Sequence, residues 1–435
     1  MSVNSSIRWG FVASATLVTV SQLSAVHAAG TFEGLSGLPG ATTRSNALGI
    51  SSDGMVVVGS AESTDGKLHA VRWSREGVIQ RIDLMQLPSA DFEFSEALAA
   101  SSDGSLIVCN YWESAFCSTP FTLRVSENQT QLLIAHRCNA LAKGVSPAAV
   151  VGDLYSSDAY GLHWSMQNSA AGILAPVDGY DQSSGVAISN RTGLIVGVSL
   201  GPSGQQATMW QGPGIGVAAD PLVPGIRFRI SRFTAISENG LYAVGEVSTD
   251  TTNEVLQPFI YDVNSDLFTR LPTPPNGPVG RRTAYPTAIS GDGFTIIGYF
   301  YSVVGPDIIK EAFIWRDGQG YEVLNTVLST EYGLNLNGWV LTAANGMSAA
   351  AGTIVGEGIN PSGQVQAWRA MLGEDTYFCV SDFDQNGGID GQDVESFFIA
   401  FEANDERADA NRDGGVTGND VEAFFLQWAA GECQL

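Results

Sequence analysis

The chain has 435 residues, 44% of them hydrophobic, which is enough to bury a large core and excludes a disordered chain. Its net charge of −24 would be repelled by phosphate backbones and anionic lipid heads, which argues against a nucleic-acid partner. Fifty glycines and few lysines favour a turn-rich, mainly β chain over a helical one.

The first 28 residues read as a secretory signal peptide. Arg8 supplies the positive start, "WGFVASATLVTVSQLSAV" an apolar core, and "VHA" the small residues for cleavage after Ala28. Ser and Gln interrupt the core, so a retained anchor is disfavoured. No later stretch has the roughly 18 uninterrupted apolar residues of a membrane span, so no transmembrane span is expected. The expected location is extracellular or at the cell surface, where disulfides are permitted. Five cysteines follow. Cys109 and Cys117 lie in one repeat and are candidates to staple a hairpin. Cys379 and Cys433 flank the C-terminal segment and are expected to clasp its ends, leaving Cys138 over.

From residue 29 to 373 one phrase recurs. It reads "NALGISSDGMVVVG" at 46–59, "FTAISENGLYAVG" at 233–245 and "PTAISGDGFTIIG" at 286–298. Aligned on its serine, the phrase falls at Ser51, Ser101, Ser146, Ser189, Ser237, Ser290 and Ser348, seven copies spaced 43 to 58 residues apart. Each is two short apolar runs joined by a turn of the Ser-Asp-Gly type, the chemistry of a tight hairpin. An apolar strand with an aromatic residue follows most copies: Trp73, Trp164, Trp210, Tyr261, Trp315 and Trp368. Four short antiparallel strands per repeat describe a β-propeller blade. The last copy lacks a fourth strand, and "TFEGLSGLPG" at 31–40 reads as a fourth strand without the other three. The expectation is a seven-bladed propeller of four-stranded blades, closed by pairing residues 31–38 beside 365–372, which removes the exposed sheet edges. A β-solenoid or stacked sandwiches are the alternative, disfavoured by the variable repeat length.

The repeated phrase resembles the HAF repeats of secreted bacterial proteins, over residues 31–372. The resemblance implies an extracellular location and no particular reaction. The residues themselves add little chemistry. His69, His136 and His163 are not spaced as a metal pair and read as surface or structural. Asp53, Asp103 and Asp292 recur at the turn, which is the position of an Asp that caps backbone amides. Two stretches break the pattern: "NYWESAFCSTPF" with Trp112 and Glu113, and "PGIRFRISRF" with Arg227, Arg229 and Arg232. The alternation of the second also suits a half-exposed strand. A ligand of the propeller, such as an extracellular glycan, is expected at its central funnel or on a face lined by loops.

After a short linker at 374–378, residues 379–435 carry a duplicated pattern. "DFDQNGGIDGQDVESFFIAF" at 382–401 aligns without a gap to "DANRDGGVTGNDVEAFFLQW" at 409–428. Oxygen ligands stand at loop positions 1, 3, 5, 9 and 12, with Gly at 6 and a backbone carbonyl at 7, the spacing that surrounds a hard cation with oxygens. Each loop is followed by one apolar helix face. Two calcium ions are the expected cofactors. Loop-then-helix, duplicated, with Asp at position 12, resembles a type I dockerin, an α-helical calcium-binding module. On that resemblance the ligands are Asp382, Asp384, Asn386, Gly388, Asp390 and Asp393, then Asp409, Asn411, Asp413, Gly415, Thr417 and Asp420. It also implies a cohesin-like or other cell-surface protein partner. The partner-choosing positions, Gly391, Gln392, Gly418 and Asn419, do not match a familiar cohesin-recognition pair. The functional expectation is a secreted non-catalytic binding or structural protein: a propeller attached through a calcium-dependent tail. The alternative is a polysaccharide hydrolase or lyase, or a glycan-binding module, on the same scaffold.

Overall fold

The computed structural model describes residues 30–42, 44–83, 93–114, 117–125, 130–135, 140–154, 159–167, 170–219, 230–248, 256–277, 282–304, 307–372, 383, 391–402, 408, 410 and 416–430. The elements before the tail are nearly all strands. They run β1 (Thr31–Gly34); β2 (Ser45–Ile50), β3 (Val57–Glu62), β4 (Leu68–Trp73) and β5 (Ile79–Arg81); β6 (Phe94–Ala100), β7 (Leu106–Ser114), β8 (Cys117–Val125) and β9 (Thr130–Ala135). Next come β10 (Ala140–Val145), β11 (Ala149–Leu154), β12 (Tyr160–Ser165) and β13 (Ala171–Ala175); β14 (Gln182–Ile188), β15 (Ile195–Gly201), β16 (Gly204–Trp210), β17 (Gly214–Ile215) and β18 (Val217–Ala218). The series ends with β19 (Ile230–Ile236), β20 (Tyr242–Ser248), β21 (Gln257–Asp262) and β22 (Leu267–Arg270); β23 (Thr283–Ile289), β24 (Thr295–Val304), β25 (Asp307–Arg316) and β26 (Gly320–Val323); helix α1 (Leu324–Thr330); β27 (Val340–Met347), β28 (Thr353–Ile359) and β29 (Val365–Met371).

Each recurring phrase is an antiparallel hairpin, and its residues explain the shape. Ser51 Oγ accepts from Val56 N at 2.9 Å and donates to Asp53 Oδ1, which also accepts from Met55 N at 2.9 Å. The same set recurs at Ser101 with Asp103, Ser237 with Asn239 and Ser290 with Asp292, so the recurrent acid is turn chemistry. Every first strand carries a β-bulge three residues before its serine, at Leu48, Leu98, Lys143, Val186, Thr234, Thr287 and Asn345. The bulge pushes a carbonyl against the facing strand. A Cβ on Gly59, Gly152 or Gly197 would lie within 2.0 Å of the carbonyl oxygen of Asn46, Leu141 or Ser184. This close approach is why the apolar run ends in glycine.

The first strands β2, β6, β10, β14, β19, β23 and β27 touch in that order, and β27 closes on β2. Each also packs on the second or third strand of the preceding sheet. The expected closure is present: Thr31 pairs with Met371 and Gly34 with Trp368, antiparallel.

The sheets themselves correct the expectation of a seven-bladed propeller of separate four-stranded blades. Among the described residues five blades are discrete, four with four strands and one, β10–β13 with β17, with five. The remaining sheet has eight strands, in which β14–β16 and β18 run into β19–β22. The cause lies after β16. Gly212, Pro213, Gly214 and Gly216 cannot sustain a full outer strand. β17 crosses instead to pair parallel with β13, and β18 covers only Thr208 and Met209. The uncovered start of β16 meets β19 through Gln205 and Ile230.

The expected α-helical dockerin-like domain is likewise not supported. The described residues contain three short helices in all, two of them in the tail: α2 (Gly391–Glu402) and α3 (Gly418–Ala430). These meet through Phe397 and Phe424, whose rings stack at 4.1 Å, over a small core with Phe383, Ala400 and Ala408. Most of both expected loops lies outside the described residues, and no group of three metal-binding side chains is assembled among those described. The cysteine staple fails on register. Cys109 faces Phe121 and Cys117 faces Ser114, several rungs apart, so Cys109 is a free, buried thiol. Cys138, Cys379 and Cys433 lie outside the described residues, as does the segment 1–28. No described helix is long and apolar enough to cross a membrane.

Candidate functional site

The seven first strands surround a central channel, and its two ends differ. At the hairpin-turn end, Glu238 reaches across to three other turns. Its carboxylate accepts from Ser52 Oγ at 2.5 Å, from Asn190 Nδ2 at 2.8 Å and from Ser102 Oγ. Its backbone carbonyl accepts from Ser189 Oγ at 2.7 Å. A cavity of about 270 Å³ lies there among the bulged strands, and the protein's own carboxylate ties its rim together.

The opposite end is open chemistry. In the first six copies the residue five before the repeat serine is Asn46, Glu96, Leu141, Ser184, Arg232 or Tyr285, all at one register position. Ser184, Arg232 and Tyr285, with the bulge residue Lys143, line a cavity of about 510 Å³. Both cations are tied to buried carboxylates on the second strands. Lys143 pairs with Asp153 and donates to Ser184 Oγ at 2.9 Å. Arg232 places two nitrogens on Glu246 Oε2, at 3.0 and 2.6 Å. The second oxygen of each acid, Asp153 Oδ1 and Glu246 Oε1, is buried without a hydrogen-bond partner among the described residues. Burial pushes the Glu246 carboxyl above its ordinary value, against the pull of Arg232. Burial also opposes the Arg232 charge, but Glu246 outweighs it and holds the guanidinium up.

Aromatic rings surround this pair. The Arg232 guanidinium stands 5.9 Å from the Tyr285 ring, Tyr285 stacks on Tyr299 at 5.2 Å, and Lys310 lies over Tyr299 at 4.5 Å. Burial raises the hydroxyls of Tyr285, Tyr299 and Tyr301, Tyr299 to about 12, so they remain neutral donors. Glu96 differs from the other acids of the channel: burial alone pushes its carboxyl up to about 7. The mouth therefore offers paired cations, aromatic faces and phenol hydroxyls, while Glu96 shares the register position of Arg232 on β6 without lining the cavity.

A second polar cluster is structural. His69 is fully buried, with Nδ1 at 2.8 Å from Asp83 and Nε2 at 2.9 Å from Asp65. Burial works against the Asp83 charge, but bonds from His69, Ser95 and Arg81 outweigh it and hold the carboxyl below its ordinary value. Ser95 Oγ donates to Asp83 and accepts from Ala70 N, joining β4 to β6. His69 and Ser95 share one oxygen of Asp83, so the acid is the hub that ties these side chains together.

No family model matches the chain, and no curated protein matches it. Solved structures do. An oligogalacturonate lyase from Vibrio parahaemolyticus is 8% identical, covering 79% of this chain and 96% of its own, at a TM-score of 0.48. The β-propeller domain of the Trilobed protease from Pyrococcus furiosus, described as having an open velcro topology, is 10% identical, covering 77% and 98%, at 0.47. TolB from Acinetobacter baumannii is 9% identical, covering 74% and 64%, at 0.36. At these values the likeness carries no argument about function, and the propeller architecture rests on the strand pairing above. Neither the HAF-repeat nor the dockerin resemblance gains support from a matching family.

Of the residues singled out in sequence, Arg232 lies in the mouth. Arg227, Arg229 and His136 fall outside the described residues, as does the Glu113 side chain. Trp112 is stacked on Phe94 at 4.2 Å, a packing role. His163 is half-buried on β12, and burial lowers its pKa. Among the expected metal ligands, Asp382, Asp384, Asn386, Gly388, Asp390, Asp409, Asn411, Asp413 and Gly415 fall outside the described residues. Asp393 and Asp420 are fully buried in the first turns of α2 and α3. Thr417 N donates to Asp420 Oδ2 at 2.6 Å. Two equivalent buried carboxylates within an all-oxygen donor set fit a hard cation.

Proposed function

We propose that this is a secreted, non-catalytic binding protein whose propeller takes a glycan at the Arg232 mouth and whose tail binds two calcium ions for attachment to a cell-surface partner. The observation that carries the glycan reading is the mouth itself. Lys143 and Arg232 are neutralised by Asp153 and Glu246, which suits a neutral polyhydroxyl ligand over a polyanion. The stacked rings of Tyr285 and Tyr299 supply faces for a sugar, and the phenols and acids supply donors and acceptors. The twelve loop residues named above would hold the calcium, whose charge would offset the acidic tail and couple its folding to the metal.

The raised carboxyl of Glu96 favours one second reading, a polysaccharide-active enzyme with Glu96 as general acid, because an acid near neutrality suits proton transfer. A screen of the purified protein against polysaccharides separates the two. Binding that is lost in Arg232→Ala, with no new reducing or unsaturated ends, supports the first reading. Product that disappears in Glu96→Gln supports the second. No binding and no product would remove the mouth as the site.

A further inference from the structure

The third strands carry an internal comparison. Trp73 donates its indole N–H to Ser36 O, and Trp210 donates to Ala175 O, each at 2.8 Å. Both carbonyls belong to the outer strand of the preceding sheet or the residues just after it. At Trp210 the cleft between the sheets is also filled by chain. β17 lies parallel to β13 there, and Gly216 N donates to Ala175 O at 3.0 Å. A Cβ on Gly216 would lie 2.7 Å from the Trp210 indole nitrogen, which shows how closely that segment sits.

Trp315 is the equivalent residue on β25. It is only 6% exposed, yet its indole nitrogen has no hydrogen-bond partner among the described residues. Trp368, two residues earlier in its strand's register, also lacks a partner for its nitrogen among the described residues, but there Leu324, Val327 and Leu328 of α1 pack in one cluster with the ring. Beside Trp315 no described residue fills the space. The chain turns directly from β25 into β26 at Gly318–Gly320, and a cleft of about 600 Å³ remains between Trp315 and β22. β22 is the outer edge of its sheet among the described strands, so its backbone has an unpaired side. Leu267 on that strand lines the cleft and is 57% exposed. Asp262, Asp292 and Asp317 line it against one cation, Arg270.

We infer that this cleft is a docking site for an extended peptide segment of another protein, apolar in the centre and basic at one end, which lies along β22 as β17 lies along β13. A peptide carbonyl accepts from Trp315 Nε1, an apolar side chain covers Leu267, and a basic residue meets the acidic rim. The site is separate from the channel mouth and does not depend on the ligand proposed there.

The probe is a fluorescein-labelled peptide, Pro-Gly-Ile-Gly-Val-Ala-Lys, which copies residues 213–218 and adds one lysine. Fluorescence anisotropy with the full chain should show saturable binding at about 0.1 to 1 mM, as expected of a short flexible peptide. Trp315→Phe keeps the ring and removes the donor, and should weaken binding about fivefold, the effect of one neutral hydrogen bond. Tyr261 occupies the matching position on β21, so the fold accepts another ring there. Leu267→Lys alters an exposed side chain and should weaken binding without affecting folding. Trp73→Phe should leave binding unchanged. No saturation at several millimolar, or equal binding by wild type, Trp315→Phe and Leu267→Lys, would overturn the assignment.

Discussion

Replacing Glu96 by Gln should flatten part of the pH dependence of the propeller's stability. Burial raises the Glu96 carboxyl from 4.5 to about 7. Between those values the folded chain keeps a proton that the unfolded chain has released. Stability from this group is therefore greatest below pH 4.5, falls as pH rises, and levels off above about 7. The gap corresponds to about 3 kcal/mol, or about 2 kcal/mol after allowing for partial hydration of the carboxyl. Gln has nearly the same shape and no charge to lose. The assay is urea unfolding followed by tryptophan fluorescence, for wild type and variant, at steps from pH 4.5 to about pH 8. Subtracting the two curves cancels the many other acids of the chain. The variant should gain about 2 to 3 kcal/mol on the wild type as pH rises through the window. A difference that stays constant across it would show that the Glu96 carboxyl is hydrated in solution, and the argument for Glu96 as a proton donor would fail with it.

Glu238→Ala removes an acceptor shared by Ser52, Ser102 and Asn190, and should cost about 3 kcal/mol in the same unfolding assay, since bonds to a charged group run at about 1.5 kcal/mol or more each before relaxation. Gly197→Ala places a Cβ 2.0 Å from Ser184 O and should destabilise by about 3 kcal/mol, seen as a lowered melting temperature; a neutral result would mean the bulge relaxes freely. Chelation should melt the tail helices in circular dichroism while the β signal persists, and Asp420→Ala should weaken calcium binding at least tenfold by calorimetry. A tail indifferent to calcium would refute the ligand set.

Much of the propeller was legible in the chain because its hairpins are local. The serine, the turn acid and the glycine after the valine run each answer to neighbours a few residues away, so the repeat displays them. The closing strand was legible too, since residues 31–34 and the end of the last repeat are each incomplete alone. The division into blades was not. It depends on whether residues 211–218 cover β16, and the weak strand propensity of Gly and Pro decides that only against the neighbouring edge.

The mouth shows the same limit. Glu96, Lys143, Arg232 and Tyr285 stand in the two variable columns of a constant phrase, five and three residues before the serine. An alignment of the repeats by column would have marked them as differing, though not as neighbours. The meeting of Lys143, Arg232 and Tyr285 depends on first strands turning the same face to one axis, and Asp153 and Glu246 join from second strands. The pairing chemistry of each hairpin is a short-range property that residue order carries. The channel, the buried ion pairs and the unfilled cleft at Trp315 arise from closure of the ring, which brings together residues far apart in the chain.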